Sequence, residues 1–142
     1  MRALFLDFDG VLHRAGNGLE ETGPHFVWLP LLAEALKGHS DVVVVVHSTW
    51  RYQWRVHELR ELLVGLESNI VTAAPRGPRR DAIPWFLSMH PGISSYRILD
   101  DELKEFGESP PAEVLLCEPG LGLTTPGVIE ALRRWLSESL EV

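Results

Sequence analysis

Polar residues capable of chemistry stand where strand-like segments end. Asp7 and Asp9 interrupt the apolar stretch LFLDFDGVL, His47, Ser48 and Thr49 follow the run Val42–Val46, and Asp100 and Asp101 close the segment RILDD. Arg79 and Arg80 precede a helical pattern. Burying a carboxylate in an apolar strand is costly, so these acids need a purpose. Residues two apart on a strand share a face, about 6.6 Å apart along it, which predicts that Asp7 and Asp9 point to one side. With Asp100 and Asp101 arriving from a neighbouring strand, the carboxylates converge, and they stay ionised together only beside a cation. Oxygen donors without a Cys or His cluster favour Mg²⁺. In such a site one carboxylate can attack phosphorus and another can pass protons. Ser48 and the backbone around it can bind phosphoryl oxygens, and an arginine at a helix start adds fixed positive charge. Phosphoryl transfer asks mainly for positioning and charge neutralisation.

The elements between these residues must bring them together. Five strands are expected, at Ala3–Phe8, Val42–Val46, Asn69–Val71, Tyr96–Leu99 and Val114–Cys117. The first two are continuous apolar runs, the pattern of strands buried on both faces. Helices are expected at Pro30–Lys37, at Thr49–Leu66, at Asp81–Met89 with Pro84 in its first turn, and at Thr125–Leu140 with Thr125 as its cap. The segment Asp101–Ala112 has room for one helical turn. Alternating strand and helix predicts a doubly wound, Rossmann-like parallel sheet of about five strands with helices on both sides, a three-layer α/β fold. Such sheets place ligands at their carboxyl edge. The loop His13–Pro24 follows Asp9 and Gly10 there.

The chain has 142 residues, 45% of them apolar, and a net charge of −7. That size fits one domain, residues 1–142, with a real core. The acidic balance argues against a general nucleic-acid-binding surface, although Arg51, Arg55 and Arg60 cluster, as do Arg76, Arg79 and Arg80. Cys117 is the single cysteine and reads as a small buried hydrophobe. The five tryptophans read as packing residues rather than a base-stacking platform. His13 and His47 lack metal-ligand spacing and are expected to be incidental or supporting. No signal peptide and no membrane-length apolar run is visible, so a cytoplasmic protein is expected. The preference for Arg over Lys points to a GC-rich bacterial genome.

The residues also resemble a known family. FLDFDGVL is similar to the first motif of haloacid dehalogenase (HAD)-like hydrolases, VVVVVHSTW to the second and RILDD to the acidic fourth, with Arg79 in the place of the third-motif cation. STWR, ILDDE followed by Phe106, and GLGLT resemble the small HAD domains of Swiss Army knife RNA repair proteins. The resemblance implies that Asp7 is nucleophile and metal ligand, and that Asp9 is general acid/base with its backbone carbonyl on the metal. It implies that Ser48 binds the phosphoryl group, with Thr49 as the alternative. The third-motif cation is Arg79, with Arg76 and Arg80 as alternatives, and Asp100 and Asp101 share the Mg²⁺. Gly10, Thr49, Arg51 and Arg80 complete the expected substrate-binding set. Neither interval between motifs has room for a cap domain, so the site should be open.

The leading expectation is thus a Mg²⁺-dependent phosphatase with an aspartyl-phosphate on Asp7. Its open site would suit a large or partner-presented phosphorylated substrate, such as a nucleic-acid end or a protein. A weakly active or inactive phosphate- or partner-binding module is the second reading. A receiver-type signalling domain fits less well, because there the paired acids follow the first strand and here they follow the fourth.

Overall fold

A computed structural model describes residues 1–138. Strands β1 (Arg2–Leu6), β2 (Val42–Val46), β3 (Val71–Ala73), β4 (Ser95–Asp100) and β5 (Val114–Leu116) form one sheet, ordered β3-β2-β1-β4-β5 and parallel throughout. Helices α1 (Leu19–Thr22), α2 (Leu29–Leu36), α3 (Val56–Leu62), α4 (Arg79–Met89) and α5 (Val128–Leu136) connect and cover it. A single 3₁₀ turn, Leu103–Phe106, occupies the expected place after β4.

The apolar patterning explains the layers. Every residue of β1 and β2 is buried. Successive side chains of a strand point to opposite faces, so Leu4, Leu6, Val42, Val44 and Val46 join the core beneath α2, α3 and α5. Ala3, Phe5, Val43 and Val45 join the core beneath α4, with Ile83, Phe86 and Phe106. Both faces being covered is what permits an all-parallel sheet. Cys117 is buried just beyond β5, where desolvation pushes its thiol up to about 12. Among the described residues no helix is long and apolar enough to cross a membrane.

The strand order carries the functional consequence. From β1 the chain winds outward through β2 and β3, then returns to lay β4 on the other side of β1. The switch point therefore lies between β1 and β4, and a crevice opens at their carboxyl ends. In register, Leu6 pairs with both Val46 and Leu99, so Asp7, His47 and Asp100 leave the sheet side by side.

Several expected boundaries move, each for a local reason. β1 ends at Leu6, two residues early, and β3 begins two residues after the expected Asn69. The expected helix Thr49–Leu66 is split into a 3₁₀ turn, Thr49–Tyr52, and α3. The Arg51 guanidinium takes the carbonyls of His47 and Ser48 at the start of that segment. Helix α3 then restarts with Glu58 Oε1 accepting from the Arg55 N–H at 2.9 Å, half of a capping box. Helix α4 starts at Arg79, so Pro84 lies in the second turn rather than the first; it is exposed, where water can take the carbonyl it leaves unpaired. Thr125 does not cap α5. Its Oγ1 donates to the Gly122 carbonyl and accepts from the Glu118 N–H, and Gly127, at φ 88°, is the residue before the helix. Leu140, the expected last residue of that helix, lies outside the described residues.

At the opposite edge of the sheet, Arg2 fastens the first strand to the last helix. It is 3% exposed, donates to Asp41 and to the carbonyls of Trp135 and Leu136, and lies 5.2 Å from the Trp135 ring centre. The cation thus satisfies orphan carbonyls at the end of α5. The Arg2 hydrogen bonds hold the Asp41 carboxyl below the ordinary range. A depressed carboxylate pKa adds stability above the unfolded value near 4, which is lost as pH falls through the folded value. Arg2→Met should cost about 2–3 kcal/mol in urea denaturation at pH 7, as expected for lost charged hydrogen bonds and unpaired carbonyls. The gap to wild type should narrow as pH falls below about 4 and through the folded value, as Asp41 takes up its proton; a pH-independent gap would mean that the ion pair contributes nothing.

Candidate active site

The crevice holds a buried charge cluster. Asp7 is 3% exposed and Asp100 fully buried, yet both carry carboxylates. Oxygens of Asp7, Asp100 and Asp101 all lie within 4.8 Å of one another. Asp101 fits only because residue 10 is glycine: a Cβ there would sit 2.1 Å from Asp101 Oδ2, and Gly10 also has φ 77°. Arg79, at the first position of α4, faces the cluster. Its Nη2 is 3.4 Å from Asp7 and its Nε 3.0 Å from Asp100, while Nη1 is 3.6 Å from Glu105. The Nε contact is ionic rather than an aligned hydrogen bond.

Each carboxyl in the crevice titrates according to its surroundings. Burial and the neighbouring Asp100 and Asp101 push Asp7 well up, against the pull of Arg79. Burial likewise lifts Asp101, to about 6. Asp100 is held down despite its burial, by His47, Arg79 and the Glu102 N–H. His47 Nε2 lies 2.7 Å from Asp100 Oδ2. Burial lowers the imidazole's own pKa, so the ring is neutral with its proton on Nε2, and Nδ1 is left without a partner. Burial and the crowding of three carboxylates thus favour the protonated forms of Asp7 and Asp101. An all-oxygen cluster so short of compensating charge fits a hard divalent cation such as Mg²⁺. Asp7, Asp100 and Asp101 would hold it.

The Asp9 side chain is not in this cluster, contrary to the expectation that it shares a side with Asp7. With β1 ending at Leu6, the chain turns at Asp9-Gly10, and the carboxylate meets other partners. His13 Nε2 lies 2.8 Å from Oδ1, and Trp50 Nε1 donates to Oδ2 at 3.1 Å. The Phe26 N–H donates to His13 Nδ1, so the His13 proton sits on Nε2 and is donated to Asp9. The hydrogen bond from His13, together with that from Trp50, holds the Asp9 carboxyl below the ordinary range. Phe26 adopts φ 60°, a conformation costing a bulky residue on the order of 1–3 kcal/mol. Its ring lies 5.3 Å from those of both Phe8 and Trp50, and this packing, with the bond to His13, keeps it there.

The remaining expected residues divide. Asp7, Asp9, Thr49, Arg79 and Asp101 line one open cleft with Glu102 and Glu105. Ser48, preferred over Thr49 from the sequence, is fully buried and its Oγ caps the 3₁₀ turn by accepting from the Trp50 N–H. Arg80 lies outside the cleft, in a neighbouring hollow with Ile83 and Phe106. Arg76 stacks over Tyr52. Arg51 is not a substrate ligand in this arrangement. Its guanidinium donates to the carbonyls of His47, Ser48, Ala74, Pro75 and Gly77 and to the Tyr52 hydroxyl, which exhausts its five N–H groups. It ties the loop after β2 to the loop after β3. Sequence reasoning undervalued His13, His47 and Trp50. The available signals were the four-residue turn from Asp9 to His13 and a polar residue placed directly after five valines. Arg51→Lys keeps the charge but loses the fork, and should destabilise the protein by about 2–3 kcal/mol in urea denaturation; stability equal to wild type would contradict the clamp.

The comparisons follow this geometry. No curated protein and no solved structure matches the chain significantly. A family model described as the HAD domain in Swiss Army Knife RNA repair proteins matches residues 3–128. That span runs from β1 to the start of α5 and includes all four motif segments and every residue of the charge cluster, so the chain belongs to this HAD-domain family.

Proposed function

We propose that the protein is a Mg²⁺-dependent phosphomonoester hydrolase that works through an aspartyl-phosphate on Asp7. Membership of the HAD family carries phosphatase-type hydrolase chemistry with it. The observation that carries the finer reading is Asp7 itself: a carboxylate at the end of the central strand, crowded by two others and faced by Arg79. Asp7, Asp100 and Asp101 would hold a Mg²⁺, which when bound would neutralise charge on the incoming phosphate and favour ionised Asp7.

In the first half-reaction an Asp7 oxygen attacks phosphorus, the ester P–O bond breaks, and the leaving oxygen takes a proton from Asp9. In the second, water attacks phosphorus, gives its proton to Asp9, and the acyl phosphate bond breaks to release inorganic phosphate and free Asp7. The hydrogen bonds from His13 and Trp50 keep resting Asp9 ionised, the form the second half needs. For the acid role in the first half, Asp9 takes up the proton that a phosphomonoester monoanion brings into the cleft. Arg79 is the cation that can turn onto the phosphoryl oxygens, since its bond to Asp100 is poorly aligned. Thr49 lines the cleft and is a hydroxyl within it; Gly10 leaves room for Asp101. The open cleft suits a phosphate carried at the end of a larger molecule.

Asp7→Asn separates this reading from a phosphate-binding module. The variant should abolish Mg²⁺-dependent turnover of a generic aryl phosphate. It should also stabilise the metal-free fold. A raised carboxyl pKa means that the folded state binds its proton more tightly than the unfolded state. That contribution is present at low pH and lost as pH rises from about 4 through the folded value. Metal-free Asp7→Asn should therefore melt a few degrees above wild type at pH 8 but not at pH 4.5, and Mg²⁺ should raise the melting temperature of wild type far more than that of the variant. Wild-type turnover by Asp7→Asn would overturn the mechanism, and phosphate binding without turnover by the wild type would favour the module.

A further inference from the structure

Beside the carboxylate cleft lies a second pocket of about 620 Å³ walled by His25, Phe26, Thr49, Trp50, Gln53 and Trp54, with Leu62 as its one aliphatic side chain. Its size is that of a small-molecule site. The pocket and the cleft adjoin: Thr49 lines both, and the Trp50 indole, in the pocket wall, donates to Asp9 in the cleft. The rings are ordered. Trp50 and Trp54 lie 20° from parallel with centres 6.3 Å apart, and the Trp50 ring meets those of Phe26 and His25 edge to face at 5.3 Å. His25 in turn stacks on His13, the residue that holds Asp9. The assembly persists although Phe26 must adopt φ 60° to complete it. Trp54 is 39% exposed, so it is not explained by burial in the core.

We infer that this pocket is a stacking subsite for the base of a single nucleotide whose phosphate lies in the carboxylate cleft. The inference rests on the phosphomonoesterase reading and specifies its substrate class. Three features select that occupant. Flat aromatic walls stack any base, and the Gln53 amide is the donor and acceptor suited to its edge, whereas the hydroxyls of a sugar phosphate would find few partners. No arginine or lysine lines the pocket, and Arg79 in the cleft is already shared among Asp7, Asp100 and Glu105. One phosphate is accommodated, not a polyphosphate or a long backbone. Finally, Asp9, the proton donor to the leaving group, stands at the wall between cleft and pocket, so the leaving group is the part of the substrate that faces the rings. A free mononucleotide and a terminal nucleotide of a strand offer the same chemistry.

The test compares adenosine 3′- and 5′-monophosphate with glycerol 2-phosphate, all with Mg²⁺, in wild type and Trp54→Ala. Wild type should favour a nucleotide, and Trp54→Ala should lower the ratio of nucleotide to glycerol phosphate kcat/KM on the order of tenfold, mostly through KM. An unchanged ratio would overturn the subsite. Phosphorylated dinucleotides form a further arm: preference for them identifies a strand end, preference for the monophosphates a free nucleotide, and preference for neither over glycerol phosphate overturns the inference. Binding is read separately, from the indole N–H resonances of Trp50 and Trp54 as Asp7→Asn with Mg²⁺ is titrated with the same monophosphates. Shifts saturating with nucleotide support the subsite even if no phosphoester is turned over, which would overturn only the phosphatase reading. Turnover of glycerol phosphate without indole shifts would keep that reading and remove the subsite.

Discussion

Asp7, Asp100 and Asp101 repel one another in a place with little water, and the rest of the molecule is arranged around that repulsion. Buried charges persist only when partnered. Here the partners come from three directions: Arg79 from the start of α4, the neutral His47 from the end of β2, and the Glu102 N–H from the turn after β4. None of these suffices to ionise Asp7 alone, which burial and its neighbours still push well up. The cluster is thus short of positive charge, which a hard divalent cation held by these three carboxylates would supply.

Two features of the backbone hold the cluster in register. One is the switch point, which sets Asp7 and Asp100 at the ends of adjacent parallel strands whose apolar residues are wholly buried. The other is Arg51, which spends its cation on backbone carbonyls instead of substrate. Carbonyls at the carboxyl edge of a parallel sheet lack a continuing ladder, and a planar fork of five donors can gather several of them at once. The loops after β2 and β3 are fixed by that fork, and Thr49 is carried into the cleft on the first of them.

The fold was legible because it depends on patterns that a sequence states directly. Unbroken apolar runs gave buried parallel strands, and their alternation with helical stripes gave the double winding. The convergence of Asp7, Asp100 and Asp101 followed from strand ends, whereas Arg79 was placed by a helix start and preferred over Arg76 and Arg80 through the family resemblance. What was not legible depended on directions of side chains. The spacing of Asp7 and Asp9 implied a shared face only if the strand continued, and it stops at Leu6. Arg51 beside Ser48 has the composition of a substrate ligand and the geometry of a clamp, and only the carbonyls around it distinguish the two. The helix expected across Thr49–Leu66 is interrupted between Tyr52 and Val56, and the Arg51 guanidinium that ties its start to the loop after β3 has no mark in the sequence. Trp50 and Trp54 carry no mark in the sequence to distinguish a packing indole from a wall.

On the proposed mechanism, separating Asp7 from Asp9 is what allows one short turn to serve two chemical roles. Environments that push paired carboxyls apart assign acid, base and nucleophile. Here burial and neighbouring carboxylates raise Asp7, while hydrogen bonds from His13 and Trp50 lower Asp9. The same two hydrogen bonds hold Asp9 to His13 and to the aromatic wall, outside the cluster of Asp7, Asp100 and Asp101. On the proposed mechanism, the residue that protonates the leaving oxygen therefore stands between the phosphate and whatever that oxygen carries. Proton transfer and recognition of the leaving group then share Trp50: its N–H orients the acid, and its ring lines the pocket. A leaving group that fills the pocket presses on the indole that positions Asp9. In this open cleft, that is a direct physical route by which the leaving group can influence the proposed chemistry.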